Sequence, residues 1–257
     1  MESKTVVYER QDQIGIIQLN RPEAGNAINR AMAQDLLAAL EAARDDGKAK
    51  VIIAKAKGKS FCTGMDLNEA VLTMTFEQNM SFDEMMQNCA RTIRYLGKPI
   101  IASVQGYCIG AGSCFAITCD MRIAAEDARF SIPEAVRGSH ALWGLTQTLP
   151  RLVGVGRAKQ LLLTGEMLGA EEAEKWGLVN KVVPLSELDS ATMEIANKIA
   201  ASSSLGVTLT RLLIDRHMDI SYEAALDYET YSHSIPVLTG ERQKQMSDML
   251  RKIRHQK

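Results

Sequence analysis

The sequence lacks any concentration of basic charge. Its 30 lysine and arginine residues are balanced by 31 aspartate and glutamate residues, which gives a net charge of −1 at pH 7. A protein that binds nucleic acid by neutralising phosphates carries a basic face, so this balance excludes nucleic acid as the main partner. The basic C-terminal stretch RKIRHQK is short and typical of a solvated chain end.

The sequence also lacks a long uninterrupted apolar run. No segment approaches the roughly 18 apolar residues that a membrane-spanning helix requires. The N-terminal stretch MESKTVVYERQDQ is charged and has no apolar centre, unlike a secretory signal. We therefore expect a soluble protein that does not bind a membrane and resides in the cytoplasm.

Cysteine is scarce and irregularly spaced. Five cysteines, an odd number, do not form a disulfide framework, and this favours a reducing compartment. No Cys-x-x-Cys pair occurs, so the sequence offers no ligand spacing typical of a zinc or redox site. We expect no bound metal.

Short β-like runs alternate with helical ones through the first part of the chain. Residues 14–20, 50–56 and 99–106 are apolar and predicted as strands, and residues 27–46 have apolar side chains at helical spacing. This alternation favours a mostly parallel sheet covered by helices. Beyond Leu185 the sequence predicts only helices, near 187–202, 205–217, 221–235 and 239–253.

Two glycine-containing loops share one design. In SFCTGMDL (60–67) and GYCIGAGS (106–113), glycine lies just before a predicted helix start. Helix starts leave N–H groups without intrahelical acceptors and carry partial positive charge. Glycine also allows a ligand to approach the backbone closely. Each loop taken alone is equally typical of a tight turn in a packed sheet.

A phosphate and a reacting oxygen are the two anions that such loops could bind. The glycines at 106, 110 and 112 do not follow the GxGxxG order, and no GxxxxGK[ST] motif is present. The alternative is an oxyanion hole, in which one N–H from each loop stabilises a carbonyl oxygen that becomes negative during reaction. Such a site also requires a proton-transfer group.

Six consecutive segments resemble the signatures of the crotonase family, the enoyl-CoA hydratases and isomerases. They are LNRPEAGNAIN, SFCTGMDLNE, GKPIIASVQGYCIGAG, CDMRIAAEDARFSIPE, RLVGVGRAKQLLLTGE and AEKWGLVNKVVP. The resemblance implies an α/β fold with a crotonase-like ββα spiral core over 1–190 and a helical trimerisation region over 191–257. It also implies a homotrimer or dimer of trimers, an acyl-CoA thioester substrate, and no cofactor beyond the coenzyme A of that substrate.

The resemblance assigns roles to individual residues. The oxyanion-hole donors would be the backbone N–H groups of Met65 and Ala111, and the acid/base would be Glu134. Glu134 follows a proline, so a role near a helix start is the alternative. Asp66 could likewise cap a helix. Residues expected along coenzyme A or the acyl group are Ala24, Asn26, Ala27, Gly64, Asp66, Leu67, Gly110 and Trp143.

Cys114 occupies the position at which typical hydratases of this family carry a second glutamate. A pair of carboxylates suits hydration, and a thiol with a pKa near 8.5 replaces one poorly. Core packing is the alternative role of this cysteine. A single glutamate suits migration of a double bond from β,γ to α,β. The sequence therefore favours an enoyl-CoA isomerase, with an enoyl-CoA hydratase and a catalytically silent binding protein as alternatives.

The segment SHALWGLTQTL departs from the proline- and glycine-rich sequence of many relatives. It places His140 and Trp143 in a loop expected to border the acyl pocket, where Trp143 would narrow the pocket or stack on the acyl group. Core packing of Trp143 and a solvated, structural role of His140 are the alternatives. Cys114 and His140 are the candidate auxiliary residues.

Overall fold

The chain is described by a computed structural model that covers residues 4–68 and 74–255. The strands are β1 (Val6–Gln11), β2 (Ile14–Leu19), β3 (Val51–Ala56), β4 (Ile100–Val104), β5 (Tyr107–Ile109), β6 (Met121–Ala125), β7 (Arg129–Ser131), β8 (Leu168–Gly169) and β9 (Lys181–Val183). The α-helices are α1 (Arg30–Asp45), α2 (Phe76–Arg94), α3 (Ala111–Thr118), α4 (Leu145–Val153), α5 (Val155–Thr164), α6 (Ala170–Lys175), α7 (Leu188–Ala200), α8 (Ser204–His217), α9 (Tyr222–Leu238) and α10 (Glu241–His255).

Six strands form the main sheet in the order β1-β2-β3-β4-β6-β9. The hairpin β1–β2 is antiparallel, and every other neighbouring pair in this sheet is parallel. The apolar runs of β3 and β4 are buried on both faces, as expected for the central strands of a parallel sheet. The predicted α/β architecture is confirmed.

Successive residues of the central strands serve two separate cores. Ile52 and Ile100 pack in the larger core with α1, α2 and α3, whereas Ile53 and Ile101 pack on the opposite face. Helix α7 covers that opposite face through apolar residues between Leu188 and Ala200. Burial of each such side chain stabilises the fold by about 1.5–3 kcal/mol. The expected boundary between residues 190 and 191 falls inside α7, and the helices beyond the sheet begin with α8.

A second, three-stranded sheet continues from the main sheet and carries the second glycine loop. Its order is β5-β7-β8, with β5 parallel to β7 and β7 antiparallel to β8. Because β5 leads directly into α3, the position of the α3 N-terminus is determined by this small sheet.

The C-terminal helices match the predicted ranges and expose much apolar surface. Helix α8 is joined to the core by Arg211, whose guanidinium lies 2.8 Å from the Asp120 carboxylate. Large apolar side chains of α8, α9 and α10 remain exposed, among them Ile214, Tyr231 and Leu238. None of the described helices is both long and apolar enough to cross a membrane.

Candidate active site

The two glycine loops and the first turn meet along one line of hydrogen bonds. Cys62 pairs with Cys108 in a parallel bridge, in which the Cys62 N–H donates to the Tyr107 carbonyl (3.0 Å). Three residues later Met65 pairs with Ile28, since the Ile28 N–H donates to Gly64 and the Asp66 N–H donates to Ile28. The loop 60–67 is thereby held between the first turn and β5.

This pairing leaves two backbone N–H groups unused. The bridge to Ile28 uses the polar groups of Gly64 and Asp66, and not the N–H of Met65. Ala111 is the first residue of α3, where an N–H has no intrahelical acceptor. Neither the Met65 nor the Ala111 N–H has an acceptor among residues 4–68 and 74–255. The two predicted donors are therefore available to a ligand.

Glycine brings the two loops into direct contact. Gly64 has φ +99°, and a Cβ at this position would lie 3.0 Å from the Ile109 carbonyl oxygen and 3.9 Å from the Ala111 nitrogen. A side chain would be strained by the dihedral angle and would also separate the loops. The close approach of Gly64 to Ala111 is what places the two free N–H groups at one junction.

Glu134 also lies close to this junction. It follows β7 and Pro133, and a Cβ on Gly110 would lie 3.0 Å from its Oε1. Gly110 has φ +53° and immediately precedes Ala111. The other oxygen, Oε2, is buried and has no hydrogen-bond partner among the described residues. The Glu134 carboxylate therefore lies close to the predicted donor Ala111, and its Oε2 makes no hydrogen bond within the described residues.

Burial raises the pKa of Glu134, and a hydrogen bond from its own backbone and the positive charge of Arg137 oppose this only in part. We expect kcat/KM to fall on acidification with an acid limb above the ordinary glutamate pKa of 4.5.

A raised pKa stabilises the fold below the unfolded-state pKa, and this contribution is lost as pH rises through the folded-state pKa. Glu134→Gln should therefore raise Tm at pH 7, and the gain should shrink near pH 4. Calorimetry at both pH values measures this, and a lower Tm at pH 7 would contradict it.

Cys114 lies one turn into α3 from the same junction. Its N–H donates to the Gly110 carbonyl (2.9 Å), and its side chain is buried. Burial raises the pKa of the Cys114 thiol well above the usual value, and the Glu134 carboxylate raises it further. The thiol is therefore neutral at physiological pH. It does not supply a second ionised base.

An ion pair fixes the loop 60–67, which carries Met65. The Arg21 guanidinium donates to the Asp66 carboxylate (2.6 Å) and to the Ala27 carbonyl (2.8 Å), which ties the first turn to the second loop. The Arg21 hydrogen bond lowers the pKa of Asp66. Asp66 also accepts the Asn68 N–H at 3.0 Å. Residues 67–68 form a turn and the residues after them, 69–73, lie outside the described residues, so a helix capped by Asp66 stays a prediction.

Asn26, a residue expected along coenzyme A, has its side chain hydrogen-bonded within the protein. It is fully buried, and its amide donates to the carbonyl oxygens of Lys57 and Ser60 while its oxygen accepts the Arg21 N–H. Because its side chain is hydrogen-bonded to backbone groups, Asn26 stabilises the first turn. Of the other residues expected on this wall, Ala24 and Ala27 are partly exposed and Leu67 is exposed.

The Arg21–Asp66 pair predicts an effect on catalysis. Asp66→Asn removes the ionic bond next to the Met65 donor, so we expect kcat/KM for the substrate to fall about tenfold through loss of donor alignment. The control is Asp189→Asn, which removes the exposed pair with Lys55 and should leave kcat/KM unaltered. Steady-state kinetics of both variants measure this. Equal kcat/KM values for Asp66→Asn and Asp189→Asn would exclude a positioning role of the Arg21–Asp66 pair.

His140 and Trp143 differ in their burial. His140 is exposed, and its Nδ1 lies 3.2 Å from the Ala141 carbonyl. Trp143 is only 2% exposed and packs on Phe115, with ring centroids 5.6 Å apart. The core-packing alternative therefore describes Trp143 correctly, and an additional role toward the acyl group stays a prediction.

Known proteins of one family are similar to this chain in both sequence and fold. Residues 9–254 match the family model described as enoyl-CoA hydratase/isomerase. The chain is 37% identical to the short-chain-enoyl-CoA hydratase of Clostridium acetobutylicum over 90% of this chain and 88% of that protein. It is 34% identical to the crotonyl-CoA hydratase of Syntrophomonas wolfei over 98% and 97% of the two chains.

The fold gives the same result. The crystal structure of an enoyl-CoA hydratase from Bacillus anthracis superimposes with a TM-score of 0.92 at 31% identity and covers 96% of each chain. An enoyl-CoA hydratase from Thermoplasma volcanium gives a TM-score of 0.90 at 32% identity, covering 96% of this chain and 98% of that one. The chain therefore belongs to the enoyl-CoA hydratase/isomerase family, the crotonases, and is an acyl-CoA enzyme of that family.

Proposed function

We propose that this enzyme hydrates a 2-enoyl-CoA, with Glu134 as the acid/base and the N–H groups of Met65 and Ala111 as the oxyanion hole. The observation that carries the proposal is the close approach of the Glu134 carboxylate to Gly110, where a Cβ would lie 3.0 Å from Oε1, directly before the free Ala111 N–H. A proton-transfer group and an anion site thus adjoin each other. Coenzyme A would lie along the wall formed by Ala24, Ala27, Gly64, Asp66 and Leu67.

One carboxylate can carry every proton in this reaction. The Glu134 carboxylate takes a proton from water as the water oxygen bonds to C3, and the C2=C3 electron pair moves toward the thioester. The thioester oxygen becomes negative and is stabilised by the two N–H groups, each worth about 3 kcal/mol in such sites. The protonated Glu134 then delivers its proton to C2, which regenerates the carboxylate and completes addition of water.

Double-bond isomerisation is the second candidate, and Cys114 is the observation that favours it. A neutral thiol stands where a second carboxylate would orient water, whereas migration of the bond from C3=C4 to C2=C3 needs only proton removal at C2 and return at C4. The sequence favours this reaction on the same ground. The relatives described above are named as hydratases, and this supports hydration ahead of isomerisation.

A panel of 2-enoyl-, 3-enoyl- and cyclic dienoyl-CoA esters tests the proposal. We expect 3-hydroxyacyl-CoA from a 2-enoyl ester. Formation of the 2-enoyl ester from a 3-enoyl ester without hydration would favour the isomerase instead. If no ester of the panel is converted although coenzyme A esters bind, the protein is a binding protein and both catalytic proposals fail.

The exposed apolar side chains of α8, α9 and α10 support assembly into a homotrimer or a dimer of trimers. Side chains such as Tyr222, Tyr231 and Leu238 would gain from burial against a second copy. Light scattering of the purified protein gives the mass directly. A monomer at micromolar concentration would contradict this expectation.

A further inference from the structure

Three buried aromatic rings contact one another in the larger core. The Phe61 and Phe115 rings are stacked, with centroids 5.8 Å apart and planes inclined by 28°. The Trp143 indole also packs on Phe115, at a centroid distance of 5.6 Å and an inclination of 45°. Both separations lie in the range that aromatic pairs favour. None of the three side chains is more than 2% exposed, and together they form what we term the aromatic stack.

The first two rings belong to the two segments that carry the oxyanion-hole donors. Phe61 lies in the loop 60–67, four residues before Met65. Phe115 lies one helical turn after Ala111, so these two residues share one face of α3. Contact between the two rings therefore joins the loop of one donor to the helix of the other.

The third ring belongs to the segment that begins at Glu134. Residues 135–140 are exposed, and Trp143 is the first large side chain after Glu134 that is buried. The Trp143 N–H donates to the Gln87 side-chain oxygen (3.1 Å), which fixes the end of this segment to α2. Packing of the indole on Phe115 ties the same segment to α3. The aromatic stack thus connects all three segments of the proposed site.

The junction between these segments is built from glycine, which supplies little rigidity of its own. Gly64 and Gly110 have φ +99° and +53°, and glycine has more conformational freedom than any other residue. Catalysis requires the reacting groups to be fixed, since a misplacement of about 1 Å can cost about 10²-fold in rate. The rigidity has to come from groups that pack around the junction.

Trp143 has two features that simple core packing does not explain. Its φ is +63°, a value that bulky residues rarely adopt and that persists only where the surrounding structure enforces it. Its indole N–H is buried without an acceptor in the described part of the chain, although buried polar groups nearly always have partners. Both features destabilise the fold, and strained residues of this kind concentrate at functional sites. The strained backbone directs the indole onto Phe115.

We propose that the aromatic stack positions the three groups of the proposed site relative to one another. Phe61, Phe115 and Trp143 are positioning residues on this account, and they act through the segments to which they belong. The inference rests on the proposed function, because it concerns the arrangement of the two oxyanion-hole donors and the acid/base. Loss of a ring should therefore lower kcat much more than it weakens substrate binding.

Phe115→Leu tests the central ring of the stack. Leucine retains much of the apolar volume but has no ring, so we expect kcat for the best ester of the panel to fall about tenfold or more. The Kd of butyryl-CoA, a saturated ester, should change less than about twofold. Phe82→Leu is the matched control, because Phe82 belongs to the same core, is 1% exposed and stacks on no other described ring. Both variants should lose stability in calorimetry, and only Phe115→Leu should lose kcat.

Trp143 provides a second test, in which a conservative variant restores activity. Trp143→Phe keeps a ring and removes the unpaired N–H, so its kcat should stay within about threefold of the parent. Trp143→Leu is equally strained at φ +63° but has no ring, and its kcat should fall about tenfold or more. The acid limb of kcat/KM in Trp143→Leu should also move to lower pH, toward 4.5, because a looser segment admits water to Glu134, whose pKa is raised by burial.

Three results would contradict a positioning role of the aromatic stack. Equal kcat values for Phe115→Leu and Phe82→Leu, in the presence of normal parental turnover, would overturn this inference and leave the proposed function standing. A loss of kcat in Trp143→Phe as large as that in Trp143→Leu would do the same, since a ring would then not be what matters. A parent enzyme that converts no enoyl-CoA ester would instead overturn the proposed function and this inference together.

Discussion

Replacement of Glu134 by glutamine should lower kcat for the natural reaction by about 10³-fold, because one proton-transfer group typically contributes 10²- to 10⁴-fold. The glutamine amide has nearly the same shape as the carboxylate, but it neither accepts nor returns a proton. Oε2 already lacks a hydrogen-bond partner in the described residues, so the substitution breaks no bond at that atom. Substrate affinity should change far less than kcat.

Glu126→Gln is the matched control for this substitution. Glu126 is exposed and lies eight residues earlier, at the end of β6. It should retain parental kcat. A Glu134→Gln enzyme that keeps more than about a tenth of parental kcat would show that another group moves the proton, with the Cys114 thiol the first to examine.

Replacement of Ala111 by proline should lower kcat by about 10²- to 10³-fold, the loss typical of deleting one oxyanion donor. Ala111 is the first residue of α3, a position where proline is tolerated because its N–H has no intrahelical partner. The preceding Gly110, at φ +53° and ψ −121°, is outside the helical region that proline disfavours. The substitution therefore preserves the backbone of α3, and it replaces the N–H by the proline Cδ, which also occupies the space of the bound oxygen.

Val155→Pro controls for proline itself. Val155 is the exposed first residue of α5 and also follows a glycine with positive φ, Gly154. Its kcat should equal that of the parent, and both variants should melt within a few degrees of it. An Ala111→Pro enzyme with parental kcat would exclude the Ala111 N–H as an oxyanion donor.

Local patterns predict the central strands and the C-terminal helices well and the edge strand poorly. The run 50–56 becomes β3 (Val51–Ala56) because an apolar, β-branched segment buries both faces of a parallel sheet. Strand β1 is not predicted by an apolar run, because its sequence, VVYERQ, is polar toward its end. Its pairing partner β2 imposes the strand conformation, and no local pattern contains that information.

The same distinction applies to the site, where some residues can be assigned from the sequence and others are identified only by their tertiary contacts. The family resemblance assigns Met65, Ala111 and Glu134 as site residues, and the structure brings these three residues close together. The ion pair between Arg21 and Asp66 joins residues 45 positions apart and arises only from tertiary folding. Asn26 likewise shows its role only when the Lys57 and Ser60 carbonyls that it holds are in view.

Hydrogen exchange at C2 of the substrate tests the central claim most directly, since hydration and isomerisation share the stabilised thioester enolate. A β,γ-unsaturated acyl-CoA is incubated with enzyme in D2O and followed by NMR. We predict that the parent introduces deuterium at C2 and that Glu134→Gln and Ala111→Pro each slow this by about 10²-fold or more. Exchange at the parental rate in Glu134→Gln would contradict the account.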